Sequence, residues 1–422
     1  MKVKIYDPYA EFEKIVLSNG LTIYFRYLPE CPWTQVWFKV HSGAKDGEPG
    51  VAHFLEHLIG DNSKEGSESI RKFTESYGGY AKLGTTSYRD TRYGFMLPNN
   101  QLKKGLHIFG NMLVNLEITK FIERERNVIS REYSMDYPSP ISYLREQQVA
   151  EIMYQEHWLA KHISVLGSAT DIETIQLPQL QSFYDQHYNP SNISVVISGG
   201  LSFTKTLEMI QKSPLGLSTK AGLRNPRLPV LSQTWLPTVN YLEYSNKIDY
   251  GMTTDESNNY YLNTKVVVPK TVLSGSLWDI AGGMIHKTLF TELRLKREWL
   301  YSIHISANLY GGLYSLFIRC PNLLEPASKK IIKVIDTCLS KALTSKRLFD
   351  DFKRKELNSI KMRDFVKTQD IIKGSIKDLD EEDRIETIMD YLAEYEAAKL
   401  ADIQALIEHI APEKRLSVLY KP

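Results

Sequence analysis

The chain has 422 residues, of which 42% are hydrophobic and 24% charged, a composition that supports a sizeable core and excludes both a disordered chain and a membrane-embedded one. Its 52 basic residues nearly balance its 50 acidic ones, so a formal net charge of +2 supplies no field to steer it onto nucleic acid or an anionic bilayer. Three cysteines, Cys31, Cys320 and Cys338, are odd in number and far apart, which argues against a disulfide framework or a thiolate metal site.

The opening MKVKIYDPYAEFEKIVLSNG lacks an apolar h-region and carries Asp7, Glu11 and Glu13. A cytoplasmic location is therefore expected, without a secretory signal or transit peptide. No run approaches the ~18 apolar residues of a membrane helix, so no membrane insertion is expected. Residues 21–28 and 34–43 read as strands, the second ending at a glycine turn. VAHFLEHLIG then has helical spacing, residues 85–97 predict a strand, and residues 100–115 carry the 3.6 period of a helix beginning beside Pro98-Asn99. A second helix is expected over about 120–135, mixed helical structure over 144–158, a helix before Tyr188-Asn189-Pro190, and a strand at NISVVISGG.

Pro214, Pro226, Pro229 and Pro237 interrupt any regular pattern near the midpoint and mark a linker over 214–238 between domains 1–213 and 239–422. The second half repeats the element order of the first: strand 259–269, a long helix, strands YSIHISANLY and GGLYSLFIRC, then helices near 326–345 and 348–364. YGGY at 77–80 and YGGLY at 310–314 fall at comparable places in the two halves.

The strongest chemical signal is HFLEH. Four residues apart on a helix, His53 and His57 share one face with side-chain origins ~5–6 Å apart, which suits two imidazoles converging on one Zn²⁺. Glu56 lies beside that face. A third ligand is sought among carboxylates, and IERERNVISREYSMD offers Glu125 and Glu132, seven apart or ~10.5 Å along one stripe, with Val128 and Ile129 between them expected to turn it inward. Acidic groups on such a stripe need a cation or hydrogen bonds. Taken without the histidines, the neighbouring Glu123, Arg124, Arg126 and Arg131 would make a solvated charged face the simpler reading.

HxxEH is the inverted zincin motif. Together, SGAKDGEPGVAHFLEHLIG, ERERNVISRE, the opening VLSNGLTIYF, the segment LGSATDIETIQLPQLQSFYDQHYNPSNISVVISGGL and the late LRLKREWLYSI resemble the pitrilysin/insulinase-type zinc metallopeptidases, in their half-length, processing-peptidase-like branch. The resemblance implies an α+β fold of two homologous α/β-sandwich halves, each a mainly antiparallel sheet with helices packed on it. It makes His53, His57 and Glu132 the ligands of one Zn²⁺ per chain, Glu56 the general base, and Glu125 a second acidic residue supporting the site. Arg294 and Tyr301 match its substrate-binding pair, with Arg297 the lesser candidate for the arginine. Lys82-Leu83 stand where the family carries Asn-Ala in its edge strand, Thr86-Ser87 suggests a short insertion, and GDNSKEG replaces the usual continuation after the motif.

The implied activity is zinc-dependent endopeptidase hydrolysis of short unfolded peptides, leader or precursor segments included. The implied assembly is a homodimer, or a heterodimer with a related half-length chain, closing a four-lobed chamber. The alternative is a non-catalytic or partner-dependent scaffold subunit. A serine or cysteine hydrolase is disfavoured, since the chain has neither a GxSxG elbow nor a motif around any cysteine, and a phosphate-binding loop is likewise missing.

Overall fold

Strands with an apolar residue at every second position form the centre of the first half. In a computed structural model, which describes residues 8–61, 67–118, 121–226, 236–244, 260–310, 313–362 and 387–421, the elements are β1 (Glu13–Val16), β2 (Thr22–Tyr27), β3 (Trp33–Val40), α1 (Val51–Asp61), α2 (Ser67–Ser76), β4 (Tyr80–Lys82) and β5 (Thr91–Pro98). They continue through α3 (Leu102–Val114), α4 (Ile122–Asp136), α5 (Pro140–Tyr154), α6 (Ala169–Thr174), α7 (Leu177–His187), β6 (Ile193–Gly199), α8 (Phe203–Gln211) and α9 (Pro214–Leu217). Among the described residues the first sheet runs β1-β2-β6-β3-β5-β4, with only β2 and β6 parallel.

One face of this sheet presents Ile23, Phe25, Val36, Phe38, Phe95 and Val195 to Phe54, Leu55 and Leu58 of α1 and to Leu106 and Phe109 of α3. Each such side chain contributes ~1.5–3 kcal/mol by leaving water. The other face is also buried but carries Arg26, Gln35, Lys39, Ser194 and Ser198. Cations there need partners. Arg26 has Glu11 at 2.9 Å, and Lys39 has Asp90 at 3.6 Å.

The second half holds β7 (Tyr241–Tyr244), β8 (Tyr260–Pro269), α10 (Gly275–Leu289), β9 (His304–Tyr310), β10 (Leu313–Leu323), α11 (Glu325–Ser328), α12 (Ile331–Leu343) and α13 (Lys346–Met362). Helices Ile388–Ala397 and Leu400–His409 and β11 (Arg415–Tyr420) complete it. Among the described residues its sheet runs β7-β11-β8-β10-β9, with only β7 and β11 parallel. In chain-order terms this is the arrangement β2-β6-β3-β5-β4 again, β1 being the addition. The expected duplication is therefore present as an α+β fold of two like halves. The two tyrosine–glycine segments are not placed alike, however: 77–80 leads into the edge strand β4, whereas Tyr310 ends β9 and Leu313 begins β10, with residues 311–312 outside the described ones.

The chain divides into two units along lines that differ from the expected 1–213 and 239–422. The first comprises Met1–Ser134, Ser164–Arg227 and Asp364–Thr387; the second comprises Met135–Ile163, Leu228–Arg363 and Ile388–Pro422. The reason lies in α5, whose Val149 and Met153 pack with Val267, Leu313, Leu416 and Val418 of the second sheet. Much of the proposed linker also belongs to the first unit. Asn19 Nδ2 donates to the carbonyls of Leu215, Gly216 and Ser218, and Arg224 Nη2 bonds His41 Nε2 at 2.7 Å and Ser194 Oγ at 3.2 Å. Residues 227–235 of that linker, and 62–66 within GDNSKEG, lie outside the described residues. Among the described residues, no helix is long and apolar enough to cross a membrane.

Candidate metal centre

Helix α1 carries two stripes. Val51, Phe54, Leu55, Leu58 and Ile59 form the core face, and His53, Glu56, His57 and Gly60 follow the same i, i+3, i+4, i+7 spacing beside it. Burial of the first stripe fixes where the second points. Helix α4 brings up the carboxylates: Glu125 and Ile129 are buried and Glu132 is half-exposed on one face. Val128 does not share in the anchoring expected of it and is 41% exposed, because the inward face follows 125, 129 and 132 and leaves 128 at its solvent margin.

The two helices meet at one point. His53 Nε2 lies 3.7 Å and His57 Nε2 3.4 Å from Glu132 Oε2, and the ligand atoms of these three residues all fall within 4.8 Å of one another. Bonds of 2.0–2.1 Å in a tetrahedral site place ligand atoms ~3.3–3.5 Å apart; the two histidine–Glu132 separations lie close to that, and two imidazoles with a carboxylate are a donor set that suits Zn²⁺. Behind His57, Nδ1 donates to Glu125 Oε2 at 3.3 Å, while Arg124 Nε donates to Glu125 Oε1 at 3.0 Å. A carboxylate on the far nitrogen fixes the ring and its tautomer and leaves Nε2 free to ligate. His53 Nδ1 is buried and has no such partner among the described residues.

Burial and the neighbouring His57 pull the His53 ring down to about 4, which keeps its nitrogens available as neutral donors. Burial also works to lower His57, but its hydrogen bonds to Glu125 and Glu132 outweigh that and lift it to about 10. The bond from His57 holds Glu132 below the usual carboxylate range. Glu56 is raised, chiefly by burial, against the lowering pull of His57 and a hydrogen bond from Thr86. Thr86 Oγ1 donates to Glu56 Oε2 at 3.2 Å. The residue pattern places Thr86 in a strand over 85–97 and beside a short insertion, with no signal that ties it to Glu56; it sits instead in a turn before β5, which begins at Thr91.

Arg294 and Tyr301 come together in the second unit. Helix α10 continues into a π-helical turn, Phe290–Leu295, and the Arg294 guanidinium stacks 4.2 Å over the Tyr301 ring while Nη1 donates to the Tyr301 carbonyl at 2.6 Å. Tyr301 is 71% exposed. Both line an open cleft of about 690 Å³ with Leu295, Trp299 and Leu324. Arg297 is engaged elsewhere, its Nη2 2.8 Å from Glu292 Oε1. β4 ends the first sheet as expected of an edge strand, with Lys82 exposed and Leu83 packed on the core.

A duplicated α+β fold with paired histidines on one helix facing carboxylates on another defines the class as that of the inverted-motif metallopeptidases. Residues 27–165 match "Insulinase (Peptidase family M16)" and residues 174–363 match "Peptidase M16 inactive domain". The chain belongs to the peptidase M16 family. It is 27% identical over 222 residues to zinc protease PqqE of Helicobacter pylori, covering 50% of this chain and 48% of that protein. It is also 27% identical over 206 residues to mitochondrial-processing peptidase subunit beta of Blastocladiella emersonii, covering 46% and 42%. The chain thus spans about half the length of these curated relatives. The crystal structure of an M16-like peptidase from Alicyclobacillus acidocaldarius matches it with a TM-score of 0.77 at 17% identity, over 100% of this chain and 99% of that one, a likeness of fold.

Proposed function

We propose that this chain is a zinc-dependent endopeptidase that holds one Zn²⁺ through His53, His57 and Glu132 and hydrolyses short unfolded peptides, leader or precursor segments among them. The observation that carries this is the convergence of those three donor groups within 4.8 Å, with Glu56 on the same helical stripe and Glu125 behind His57. Zn²⁺, when bound, supplies Lewis acidity that polarises a peptide carbonyl and acidifies water. Glu56 takes the proton of the attacking water and returns it to the departing amine. Glu125 keeps His57 oriented. β4, the edge strand of the first sheet among the described residues, offers main-chain groups to an extended peptide, and Arg294 and Tyr301 hold a substrate carbonyl.

Digestion of a peptide library by the wild type and by Glu56→Gln tests this reading. Cleavage is expected to fall ~100- to 10,000-fold in the variant, the usual worth of a general base, with zinc content unchanged. Undiminished cleavage would contradict it.

The same proposal pairs this chain with a second one, its own copy or a related partner. The Blastocladiella relative is by name one subunit of its peptidase. Solution mass of the active species checks the pairing, and full activity in a strict monomer would rule it out. A second reading, a scaffold subunit, draws on the "inactive domain" description matched by residues 174–363. The metal-centre residues lie in the other matched segment, 27–165. Metal-free protein whose Glu56→Gln change alters nothing would favour the scaffold.

A further inference from the structure

Residues 83–90 connect β4 to β5 and lie against Glu56. Thr86 Oγ1 donates to Glu56 Oε2 at 3.2 Å. Gly84 is packed so closely on the other oxygen that a Cβ built there would fall inside the carboxylate. One residue thus supplies a donor to the carboxylate, and the other supplies the space it fills.

The turn itself is fixed from several sides. Thr85 and Arg92 exchange backbone bonds of 3.0 Å, Ser87 N donates to the Asp90 carbonyl at 2.8 Å, and Ser87 Oγ accepts from the backbone N–H groups of Arg89 and Asp90 at 3.1 Å. Ala44 N and Lys45 N donate to the carbonyls of Ser87 and Tyr88, each at 3.0 Å, which ties the turn to the segment leading into α1. At its far end the buried Asp90 accepts from Arg92 Nη2 at 2.9 Å and faces Lys39 at 3.6 Å. The helix that carries Glu56 and the turn that contacts it are therefore parts of one hydrogen-bonded unit.

A carboxylate that relays a proton must present one oxygen in a fixed direction, and small misplacements of reacting groups are costly. We infer that Thr86 and Gly84 are positioning residues for Glu56: the Thr86 hydroxyl fixes the carboxylate's rotation by holding Oε2, and the missing side chain at Gly84 leaves the place that Oε1 occupies. The inference rests on the peptidase reading above, since it assigns the orientation of that reading's base.

The test uses the full chain loaded with zinc, a peptide cleaved by the wild type, and the variants Thr86→Val, Thr86→Ser, Gly84→Ala and Glu56→Gln. Thr86→Val, which keeps the shape and loses the hydroxyl, is expected to lower kcat ~10- to 100-fold with KM within about twofold, the scale of a lost hydrogen bond to a charged group. Thr86→Ser keeps the donor and is expected to stay within about threefold of the wild type. Gly84→Ala is expected to lose at least as much kcat as Thr86→Val. Zinc per chain and thermal unfolding should match the wild type in Thr86→Val and Thr86→Ser.

An independent readout is the carboxyl ¹³C resonance of the metal-free protein that disappears in Glu56→Gln. It is expected to shift in Thr86→Val and to stay in place in Thr86→Ser. An unaltered kcat or an unshifted resonance in Thr86→Val would overturn the inference, as would Thr86→Ser being as impaired as Thr86→Val. If Glu56→Gln is inactive while Thr86→Val is fully active, only the positioning role fails. If Glu56→Gln cleaves as well as the wild type, the peptidase reading itself fails.

Discussion

Glu125 acts at one remove from the metal position. It is buried, and a carboxylate so placed needs its charge answered; one oxygen meets His57 Nδ1 at 3.3 Å and the other meets Arg124 Nε at 3.0 Å. Glu125→Gln keeps the volume and removes the charge that orients the ring. Zinc affinity is expected to fall ~10- to 100-fold, as for other carboxylates behind a ligating histidine. Competition against a zinc-binding dye reads this directly, and an unchanged affinity would remove Glu125 from any supporting role. At this scale the site divides by regularity. His53, Glu56, His57, Glu125 and Glu132 were legible because each lies on a helix, where spacing in sequence becomes direction in space. Thr86 and Gly84 were not, because their contact with Glu56 depends on how a turn folds back onto α1. Val128 shows the limit of the helical rule itself: neighbouring apolar positions on α4 split, Ile129 going in and Val128 out.

Among the elements, β3 stores charge where strands usually store hydrocarbon. Its Lys39 is 1% exposed, and burial brings the ammonium down to about 7, with Asp90 opposing and Arg92, Arg89 and Arg224 adding to the effect. In the unfolded chain the same group takes up its proton near 10.5, so between about pH 7 and 10.5 the unfolded state binds more protons at this group and its contribution to stability rises with pH. For Asp90, burial works to raise the carboxyl, but Lys39 and Arg92 outweigh it and hold it below its usual 3.8, so its contribution changes only in acid, outside that window. His57, held up at about 10, contributes in the opposite sense over much of this window but does so in both proteins, so the unfolding free energy of the wild type minus that of Lys39→Met, read by denaturant unfolding, should rise with pH across it. Parallel curves for the two proteins would contradict the assignment.

The longer elements of the fold were legible from period-two and period-3.6 patterns: β2, β3, β6, β8, α1 and α3 all fall close to the expected ranges. The short ones were not. β4 has three residues and β1 and β7 four each, too few for alternation to rise above chance. The strand expected over 85–97 begins only at Thr91, because Ser87 and Asp90 close a turn where the residue pattern alone continued the strand. Helix α5 was visible as a helix, but which sheet it covers depends on Val149 and Met153 meeting residues more than a hundred positions away.

At the scale of the whole molecule, the two halves share one strand order and differ in chemistry. The first gathers the histidines and carboxylates; the second presents a stacked Arg294–Tyr301 pair beside an open cleft. Duplication was legible as repeated element order, yet the units do not divide at the proline-rich midpoint, since 214–226 is hydrogen-bonded into the first unit and α5 is packed into the second. The central claim is that this fold holds one catalytic zinc between α1 and α4. Metal analysis of protein dialysed against buffered zinc, for the wild type and for His53→Ala combined with Glu132→Gln, tests it most directly. The account predicts one zinc per wild-type chain and none in the double variant, with peptide cleavage lost alongside the metal. Wild-type protein that stays metal-free, or a double variant that keeps its zinc and its cleavage, would contradict it.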